Sequence, residues 1–524
     1  MKLPNERINV KDWLFLGVCW LFLLAGCLVK NRAAPIWLDE IATLKLVADP
    51  SLSHCLSALA DQVDAVPPLY YIVAHCWAAI FSSSVLSLRL FSALGICAGL
   101  GLVFATLRRR FSFWAAAPAV AFAFGSNDTI RFEIVNIRFY GLLLALIALA
   151  IFIAFRLSEQ DRPSTSLLVA NGFTQAALVL CHPFGGLYSA VVLFALAVSD
   201  WWLGRRLRWR IILSYFLGWA TLLLWIRQLI FQSDINNPHG WIPLVRPMTL
   251  LATLNVGIEY YPLFLIFPIA WVLQSLWIRT RRVAAEPRES STASFEMVDS
   301  FLLVFATGAL GLIPVVWIGS LLNPNHSLFL TRYFLGTTAA WAFILSQLIC
   351  YGIAPMGPLR WPTKFVAILF IGLGLHPLLR GSKEFATFEE VRGEVDEAFG
   401  HKDLPVVFPA SFDYLPREFY SPNASRYYFL LDWPASIAPT ADRLASSEYK
   451  LLDALRRNYG YDHIVQADQF LRQHDSFLVH DPGRQWVKLR LTPDAYSIEE
   501  LGTVQFRWGE WKMLLVKRKT AQPP

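Results

Sequence analysis

Long apolar runs alternate with short polar connections over the first 380 residues of the chain. A membrane-spanning helix needs about 20 mostly apolar residues, and the pattern predicts about eleven such helices. They cover residues 13–29, 86–107, 112–127, 139–156, 166–181, 184–200, 211–231, 260–278, 300–321, 332–350 and 364–380. The predicted fold class is therefore a polytopic α-helical membrane protein. The polar segment 280–299 is predicted to be a flexible connection between two halves of the helical bundle.

Basic residues concentrate in every second connection between the apolar runs. They lie at 108–110, at Arg156 and Arg162, at 205–210, at 279–282, and at Arg360 and Lys364. Lys and Arg are enriched on the cytoplasmic side of membrane proteins, so the N-terminus is predicted to be cytoplasmic. Residues 30–85 then form a first outer loop. The other outer segments are 128–138, 181–184, 232–259, 322–331 and all residues after 380.

The tail of the chain has a different pattern. β-like runs appear at 404–408, 426–431, 476–480 and 511–518, and an amphipathic helical stretch lies at 448–459. Strands that alternate with helices predict an α/β domain. We therefore divide the chain into a membrane domain, residues 1–380, and an extracytoplasmic α/β domain, residues 381–524. The tail has neither a Gly-rich phosphate loop nor the spacing of a catalytic triad, so we expect it to bind an acceptor or to serve a structural role.

Composition agrees with this division. Of the 524 residues, 55% are hydrophobic and only 16% are charged, whereas soluble proteins average about 25% charged residues. The net charge of +7 comes from the short basic connections, which is a topology signal and does not indicate a nucleic-acid partner. The seven Cys form no CxxC motif, so they are expected to be small buried side chains.

Two adjacent carboxylates, Asp39 and Glu40, lie just beyond the first apolar run, in the sequence IWLDEIATL at 36–44. Neighbouring residues of a helix point about 100° apart. One carboxylate can therefore face the bundle while the other caps a helix or forms an ion pair. The two residues alone are equally compatible with a solvated loop or with a cap for the helix that begins near Ile41.

Other predicted outer segments also carry ionisable and aromatic side chains. These are Glu133 and Arg138 in the connection after residue 127, Tyr140 at the start of the next apolar run, His182 between two apolar runs, and Arg332 with Tyr333 at the start of a later run. Each has an ordinary structural explanation, such as an Arg that extends to the membrane surface. Ionisable groups at membrane depth are nevertheless costly unless they are paired or functional. Their shared face predicts a site at the outer leaflet for an anionic, lipid-linked group.

The order of short motifs along residues 10–350 resembles that of the GT-C glycosyltransferases. WLDE follows the first apolar run, and PPLYY, LRLFSAL, RRRF, IRFYGLLLAL, HPFGG and TRYFL come after it in that order. The chain is similar in this respect to family 39, which includes bacterial relatives of the protein mannosyltransferases and of the lipid A and lipopolysaccharide sugar transferases.

The resemblance implies an inverting transfer of a sugar from a polyprenyl-phosphate donor to a lipid, glycan or protein acceptor. It places the reaction on the outer face of the bacterial cytoplasmic (inner) membrane, with Asp39 as the general base. Glu40 matches a second acidic residue that positions Asp39 or the acceptor. The family usually has Lys or His before the Pro pair, where this chain has Val66.

The donor phosphate must therefore rely on other cations. Arg138 and Arg332 are the candidates, followed by His182, and Tyr140, Tyr333 and Glu133 are expected to line the same substrate site. The sequence has no DxD-type motif, and transfer from a monophosphate donor need not use a metal. We therefore predict no cofactor and no metal site, while a requirement for a divalent ion stays open.

Two other functions are compatible with the sequence. A flippase or transporter of lipid-linked sugars would need charged residues at mid-membrane depth and broken helices in two matching halves. A polymerase or ligase of surface polysaccharide would use a similar donor but transfer a chain instead of one sugar.

Overall fold

The computed structural model describes residues 9–206, 208–233, 242–254, 290–353, 360–379, 387–393, 399–438, 445–506 and 509–519. Within these ranges the first part of the chain is helical and the last part forms a mixed sheet covered by helices. The helices of the first part are α1 Val10–Ala33, α2 Leu38–Val47, α3 Leu52–Ala58, α4 Leu69–Ile80, α5 Val85–Arg108, α6 Phe113–Gly125, α7 Asp128–Glu133, α8 Tyr140–Ser158, α9 Thr165–Cys181, α10 Pro183–Trp202, α11 Trp209–Ala220, α12 Ile226–Ser233, α13 Pro247–Leu254, α14 Ser290–Leu322, α15 Thr337–Ile353 and α16 Arg360–Leu375.

Five of the described helices are long and apolar enough to cross a membrane. They are α1, α5, α8, α10 and the Ser300–Leu322 part of α14. These helices coincide with predicted apolar runs to within a few residues, which confirms the polytopic helical fold class. The total of eleven spans stays a prediction, and the run 260–278 lies outside the described residues.

Two details of the predicted helices were wrong. The run 211–231 is not one helix, because a 3₁₀ turn at Thr221–Leu224 separates α11 from α12. The predicted flexible connection at 280–299 is helical from Ser290 onward, while residues 280–289 lie outside the described residues. Residues 290–299 contain neither Gly nor Pro, so no strong helix breaker stops α14 from extending into this polar stretch.

Helices α5 and α8 approach each other closely because glycines line their contact. A Cβ atom built on Gly141 would lie 2.1 Å from the carbonyl oxygen of Ser92, and one built on Gly95 would lie 2.5 Å from the backbone of Gly141. The Ser92 hydroxyl also donates to the carbonyl oxygen of Arg138 (3.3 Å). This packing fixes the start of α8 at Tyr140, and Arg138 just before it, against α5.

A buried ion pair joins α1 to α5 at one end, and hydrogen bonds from a buried arginine join them at the other. At one end Arg108 of α5 donates to Asp12 of α1 (2.7 Å), and both side chains are almost fully buried. At the other end Arg89 donates to Asn31 (3.1 Å) and to the carbonyl oxygen of Ala34 (2.8 Å). The relative position of the two helices is therefore set by specific polar contacts as well as by apolar packing.

The predicted first outer loop is itself largely helical. Helices α2, α3 and α4 are joined by a π-helical turn at Leu59–Val63 that ends before Pro67 and Pro68. Gln62 in this turn has φ 75°, a left-handed conformation that is uncommon for a residue other than Gly.

The tail contains the predicted α/β structure. Its strands are β1 Val406–Val407, β2 Tyr427–Leu431, β3 Ile464–Gln466, β4 Ser476–Asp481, β5 Tyr496–Phe506 and β6 Gly509–Arg518, and its helices are α17 Phe388–Arg392, α18 Ser411–Tyr420, α19 Trp433–Ile437, α20 Ala445–Tyr459, α21 Ala467–Gln473 and α22 Gln485–Arg490. The sheet order is β3-β2-β1-β4-β6-β5. Strands β3, β2, β1 and β4 are parallel, and β6 pairs antiparallel with β4 and β5. The domain boundary at 380/381 lies outside the described residues and stays a prediction.

The tail packs directly on the first outer loop. The Tyr420 hydroxyl at the end of α18 accepts a hydrogen bond from the amide of Ile36 (3.1 Å). At the end of α20, Arg457 and Asn458 both donate to Asp61 (3.1 and 2.8 Å). The neighbouring Tyr459 donates to Asp49 (3.1 Å). These contacts hold α2 and the π-helical turn between the tail and the apolar helices.

Candidate functional site

Helix α2 separates the two adjacent carboxylates into different environments. Glu40 is fully buried. Its two carboxylate oxygens accept hydrogen bonds from Nε and Nη2 of Arg89 (3.2 and 3.1 Å). It also accepts from the amides of Ile137 (2.9 Å) and Trp37 (3.4 Å), the second contact being a cap of α2. Because two cationic and two amide donors surround it, Glu40 holds α2 against α5 and the start of α8.

Asp39 faces another direction, as the helical geometry requires. Its side chain is 23% exposed, and its carboxylate lies 3.4 Å from the Arg332 guanidinium. The Asp39 carbonyl oxygen accepts from the Thr43 hydroxyl (2.7 Å) within α2. Among the described residues, the 3.4 Å contact with Arg332 is the cationic contact of the Asp39 carboxylate. Asp39 can therefore still accept a proton or a hydrogen bond from a substrate.

Arg332 reaches this position from a 3₁₀ turn, Thr331–Phe334, that precedes α15. Its guanidinium carbon lies 5.4 Å from the ring centre of Tyr140 and 5.8 Å from that of Trp37. The face of an aromatic ring attracts a cation at distances of up to about 6 Å from the ring centre. The two rings therefore orient Arg332 toward Asp39.

Arg138 lies close by and pairs with a carboxylate that the sequence analysis did not single out, Asp64. Arg138 donates to both oxygens of Asp64 and to the Thr43 hydroxyl (3.0 Å). The Tyr71 hydroxyl and the Ala65 amide also donate to Asp64. Burial alone would raise the pKa of Asp64, but Arg138 outweighs burial and holds that pKa below its usual range.

Glu133, at the end of α7, is the third carboxylate beside these arginines. It is 1% exposed, and Asn136 donates to it (2.9 Å). Asn136 in turn accepts from the Trp37 indole (3.3 Å). Burial raises the pKa of Glu133 to about 8, so this carboxyl is mainly protonated at neutral pH.

His182 caps the N-terminus of α10 and stacks among aromatic rings. Its Nδ1 accepts from the Phe184 amide (3.1 Å), and its ring centre lies 4.5 Å from Phe139 and 5.0 Å from Tyr333. Burial first, and then the charge of Arg138, lower the pKa of His182 to about 3. The ring is therefore neutral at pH 7 and serves as a cap and an aromatic partner.

The structure thus brings the candidate residues of four separate segments together at one end of the bundle. We call the ionisable members the outer cluster: Asp39, Asp64, Glu133, Arg138 and Arg332. The charges of Arg138 and Asp39 are close enough to interact, as are those of Arg332 and Glu133. Val66, at the position where the resembling family has Lys or His, is 5% exposed and adds no charge.

No group of three His, Cys, Asp or Glu side chains in the described ranges is arranged to hold a metal ion. Transfer without a metal stays a prediction.

Comparison with solved structures decides the fold. The chain superposes on ArnT from Cupriavidus metallidurans, a crystal structure bound to undecaprenyl phosphate, with a TM-score of 0.52 at 13% sequence identity, over 97% of this chain and 98% of ArnT. The chain has the GT-C fold. This confirms the fold that the motif order implied. Membership of family 39 stays a prediction.

Two further solved structures are similar to this GT-C chain at lower scores. The apo state of the same ArnT matches with a TM-score of 0.49 at 15% identity, over 97% of this chain and 98% of that one. The second is the archaeal oligosaccharyltransferase AglB from Archaeoglobus fulgidus, in complex with an inhibitory peptide and a dolichol-phosphate. It matches with a TM-score of 0.46 at 10% identity, over 90% of this chain and 70% of AglB. No family model matches the sequence, and no curated protein matches it.

Proposed function

We propose that this GT-C protein is a membrane glycosyltransferase whose active site is the outer cluster. It transfers a sugar from a polyprenyl-phosphate donor to a hydroxyl of a lipid, glycan or protein on the outer face of the bacterial cytoplasmic membrane. The observation that carries the proposal is one partly exposed carboxylate, Asp39, close to the buried guanidinium of Arg138 and the partly buried guanidinium of Arg332 at the end of the apolar helices. The undecaprenyl phosphate bound to ArnT supports this class of donor.

Asp39 is the best general base of the four nearby carboxylates. Glu40 is buried in its pair with Arg89, and Asp64 is held by Arg138, Tyr71 and the Ala65 amide. Glu133 is already mainly protonated at neutral pH. Asp39 has only the 3.4 Å contact with Arg332 among the described residues, so it can accept a proton without breaking a strong bond.

The reaction is a single displacement, which inverts the anomeric carbon. The acceptor oxygen attacks that carbon while its proton passes to Asp39, and the bond from the carbon to the phosphate oxygen breaks. The electron pair stays on the departing polyprenyl phosphate, which gains one negative charge as Asp39 loses one. Arg138 and Arg332 stabilise the phosphate, since guanidinium groups bind phosphate oxygens bidentately.

Glu133, Tyr140, Tyr333 and His182 form the neutral part of the proposed substrate site. The protonated carboxyl of Glu133 offers a hydrogen-bond donor, and its Oε1 atom has no hydrogen-bond partner in the described part of the chain. The rings of Tyr333 and His182 are 5.0 Å apart and supply an apolar surface. Such surfaces, with a few polar groups, are usual in binding sites for small ligands.

The distribution of charge favours an enzyme over a flippase. In the described apolar helices the buried charged residues lie near the helix ends, as do Asp12, Lys30, Arg89 and Arg108. The polar contacts nearer the middle of α9 and α10 are between neutral side chains, such as Gln175 and Ser189 (2.6 Å). A transport pathway would require ionisable groups at that depth.

The test is Asp39→Asn, which keeps the size of the side chain but cannot accept a proton at neutral pH. Sugar transfer from a polyprenyl-phosphate donor should fall by roughly 10²-fold or more, while donor binding stays near the parental value. Arg332→Lys should instead weaken donor binding, because Lys lacks the planar fork.

The protein level in the membrane is measured first, as is the melting temperature of each purified variant. An Asp39→Asn protein that accumulates normally and transfers sugar at the parental rate would show that Asp39 is not the base. Separately, lipid and glycan profiles of cells with and without the protein would identify the acceptor class.

A further inference from the structure

Two carboxylates pair with arginines beside helix α2, and only one of these pairs is fully enclosed. In the Glu40–Arg89 pair the side chains are 0% and 1% exposed. In the Asp64–Arg138 pair they are 13% and 7% exposed. Glu40 also accepts from two backbone amides, of Trp37 at the start of α2 and of Ile137 shortly before α8, whereas Asp64 accepts from the amide of its neighbour Ala65. The Asp64–Arg138 pair is therefore the one that can open toward the outer cluster.

The ionised side chains of the outer cluster carry no net charge among themselves. Asp39 and Asp64 carry two negative charges, and Arg138 and Arg332 carry two positive charges. Glu133 is neutral at pH 7. A phosphodiester would add one negative charge among buried groups, where unpaired charge is costly. The phosphate would then compete with the two carboxylates for the two guanidinium groups.

Asp64 is the carboxylate that can give up its arginine. A carboxylate and a phosphate present two oxygens to a guanidinium in the same planar fashion. Arg138 donates to both oxygens of Asp64, so it already binds that carboxylate as it would bind a phosphate. The Tyr71 hydroxyl and the Ala65 amide would remain as partners for Asp64 after the exchange.

The backbone next to Asp64 also favours movement. Gln62 lies two residues earlier with φ 75°, at a break in the helical geometry within the π-helical turn Leu59–Val63. Left-handed conformations of this kind are strained and are often found where a segment moves. On the other side of the break Asp61 is fixed to Arg457 and Asn458 of the tail, so a shift is confined to the few residues around Asp64.

We propose that Asp64 sets the affinity for the donor by occupying the phosphate-binding face of Arg138 until the phosphate of the lipid-linked sugar replaces it. This inference rests on the proposed function. Asp64 is here a residue that determines ligand affinity, distinct from the proton transfer assigned to Asp39. It also explains how an arginine that is already paired with a carboxylate serves as a phosphate ligand.

The experiment measures the binding of undecaprenyl phosphate to the full-length protein in nanodiscs. Asp64→Asn removes the competing charge and should tighten binding by roughly tenfold, which corresponds to about 1.4 kcal/mol. Tyr71→Phe removes a partner that Asp64 needs after the exchange, so it should weaken binding. Asp61→Asn is the matched control, because it removes a carboxylate from the same segment that pairs with the tail instead of Arg138. Its affinity should equal that of the parent.

Undecaprenol, which lacks the phosphate, should bind the parent and all three variants equally. Equal or weaker binding of undecaprenyl phosphate by a folded Asp64→Asn protein would overturn the inference. Stronger binding by Tyr71→Phe would also overturn it, and this arm decides the case if Asp64→Asn does not fold. A parent protein that binds undecaprenyl phosphate no better than undecaprenol would contradict the proposed function itself.

Discussion

At the scale of single residues, the environment of each carboxylate decides its role more than its position in the sequence. Asp39 and Glu40 are neighbours, yet Asp39 is partly exposed while Glu40 is enclosed by Arg89 and two backbone amides. A buried carboxylate of this kind contributes to structure, since it joins α2 to α5. The two residues should therefore fail in different ways when they are changed.

Glu40→Gln is expected to lower the stability of the folded protein more than it changes the proposed site around Asp39. Removing one partner of a buried ion pair typically costs about 3–5 kcal/mol, because Arg89 would keep its charge without a carboxylate. Thermal unfolding of the purified protein should show a clear decrease in melting temperature. Asp39→Asn is the control, and its melting temperature should stay close to the parental value. A Glu40→Gln protein as stable as the parent would show that Arg89 finds enough support from Asn31 and the backbone.

The sequence identified most members of the outer cluster but not their partners. Asp39, Arg138 and Arg332 were recognisable because they are ionisable residues at the edges of apolar runs. Asp64 was missed because the first outer loop has other acidic residues, and no local pattern shows which of them faces Arg138. Its place shortly before the Pro pair was the available signal. Pairing across 74 positions depends on how α2, α4 and α8 pack.

At the scale of elements, the apolar helices were predictable and the strands only partly so. Runs such as 139–156 are long and uniformly apolar, so length alone places the helix. Strand β3 has three residues, and β5 is largely polar and exposed, so neither produces a clear pattern. Both depend on pairing with β2 and β6.

The tail domain contains a buried charged network that should make its stability depend on pH. Arg417 and His480 each contact Asp413 at 2.7 Å, and all three side chains are almost fully buried. Burial alone would raise the pKa of Asp413, but Arg417 and then His480 outweigh it and hold that pKa below its usual range. The network therefore stabilises the fold above the ordinary Asp pKa of about 3.9, and this contribution is lost as the pH falls through the lower, folded-state pKa.

Expressed alone as residues 385–524, the tail is predicted to unfold cooperatively. Asp413→Asn should lower its free energy of unfolding at pH 7 by about 3–5 kcal/mol, and the difference from the parent should shrink below pH 4. Chemical denaturation followed by circular dichroism at both pH values tests this. A disordered isolated tail would show that it needs its contacts with the first outer loop. A difference that does not change with pH would contradict the role of the Asp413 charge.

At the scale of the whole molecule, the structure collects the outer cluster and the tail at one end. The basic residues Arg108, Arg109 and Arg208 lie at the other end, where they bind Asp12, Glu159 and Asp200. One end thus carries the outer cluster and the tail, and the other carries the basic connections, which agrees with the alternation of basic connections in the sequence. The side of the membrane that each end faces stays a prediction.

Reporter fusions test that orientation. An enzyme reporter that is active only outside the cytoplasm should be active after residue 390 and inactive after residue 290. Fusion levels must be compared by immunoblot, so that low activity is not confused with degradation. The reverse pattern would place the outer cluster on the cytoplasmic side and would rule out a donor presented at the outer leaflet.

The buried ion pairs of Arg89 and Arg108, near the start and at the end of α5, also bear on how the protein is made. An arginine at membrane depth is less costly when it is paired. Glu40 precedes Arg89 in the chain, and Asp12 precedes Arg108. Each arginine is therefore synthesised after its carboxylate and can pair with it as soon as α5 leaves the ribosome. Membrane insertion can therefore begin with α1, the first outer loop and α5 as one charge-paired unit, onto which the later helices assemble.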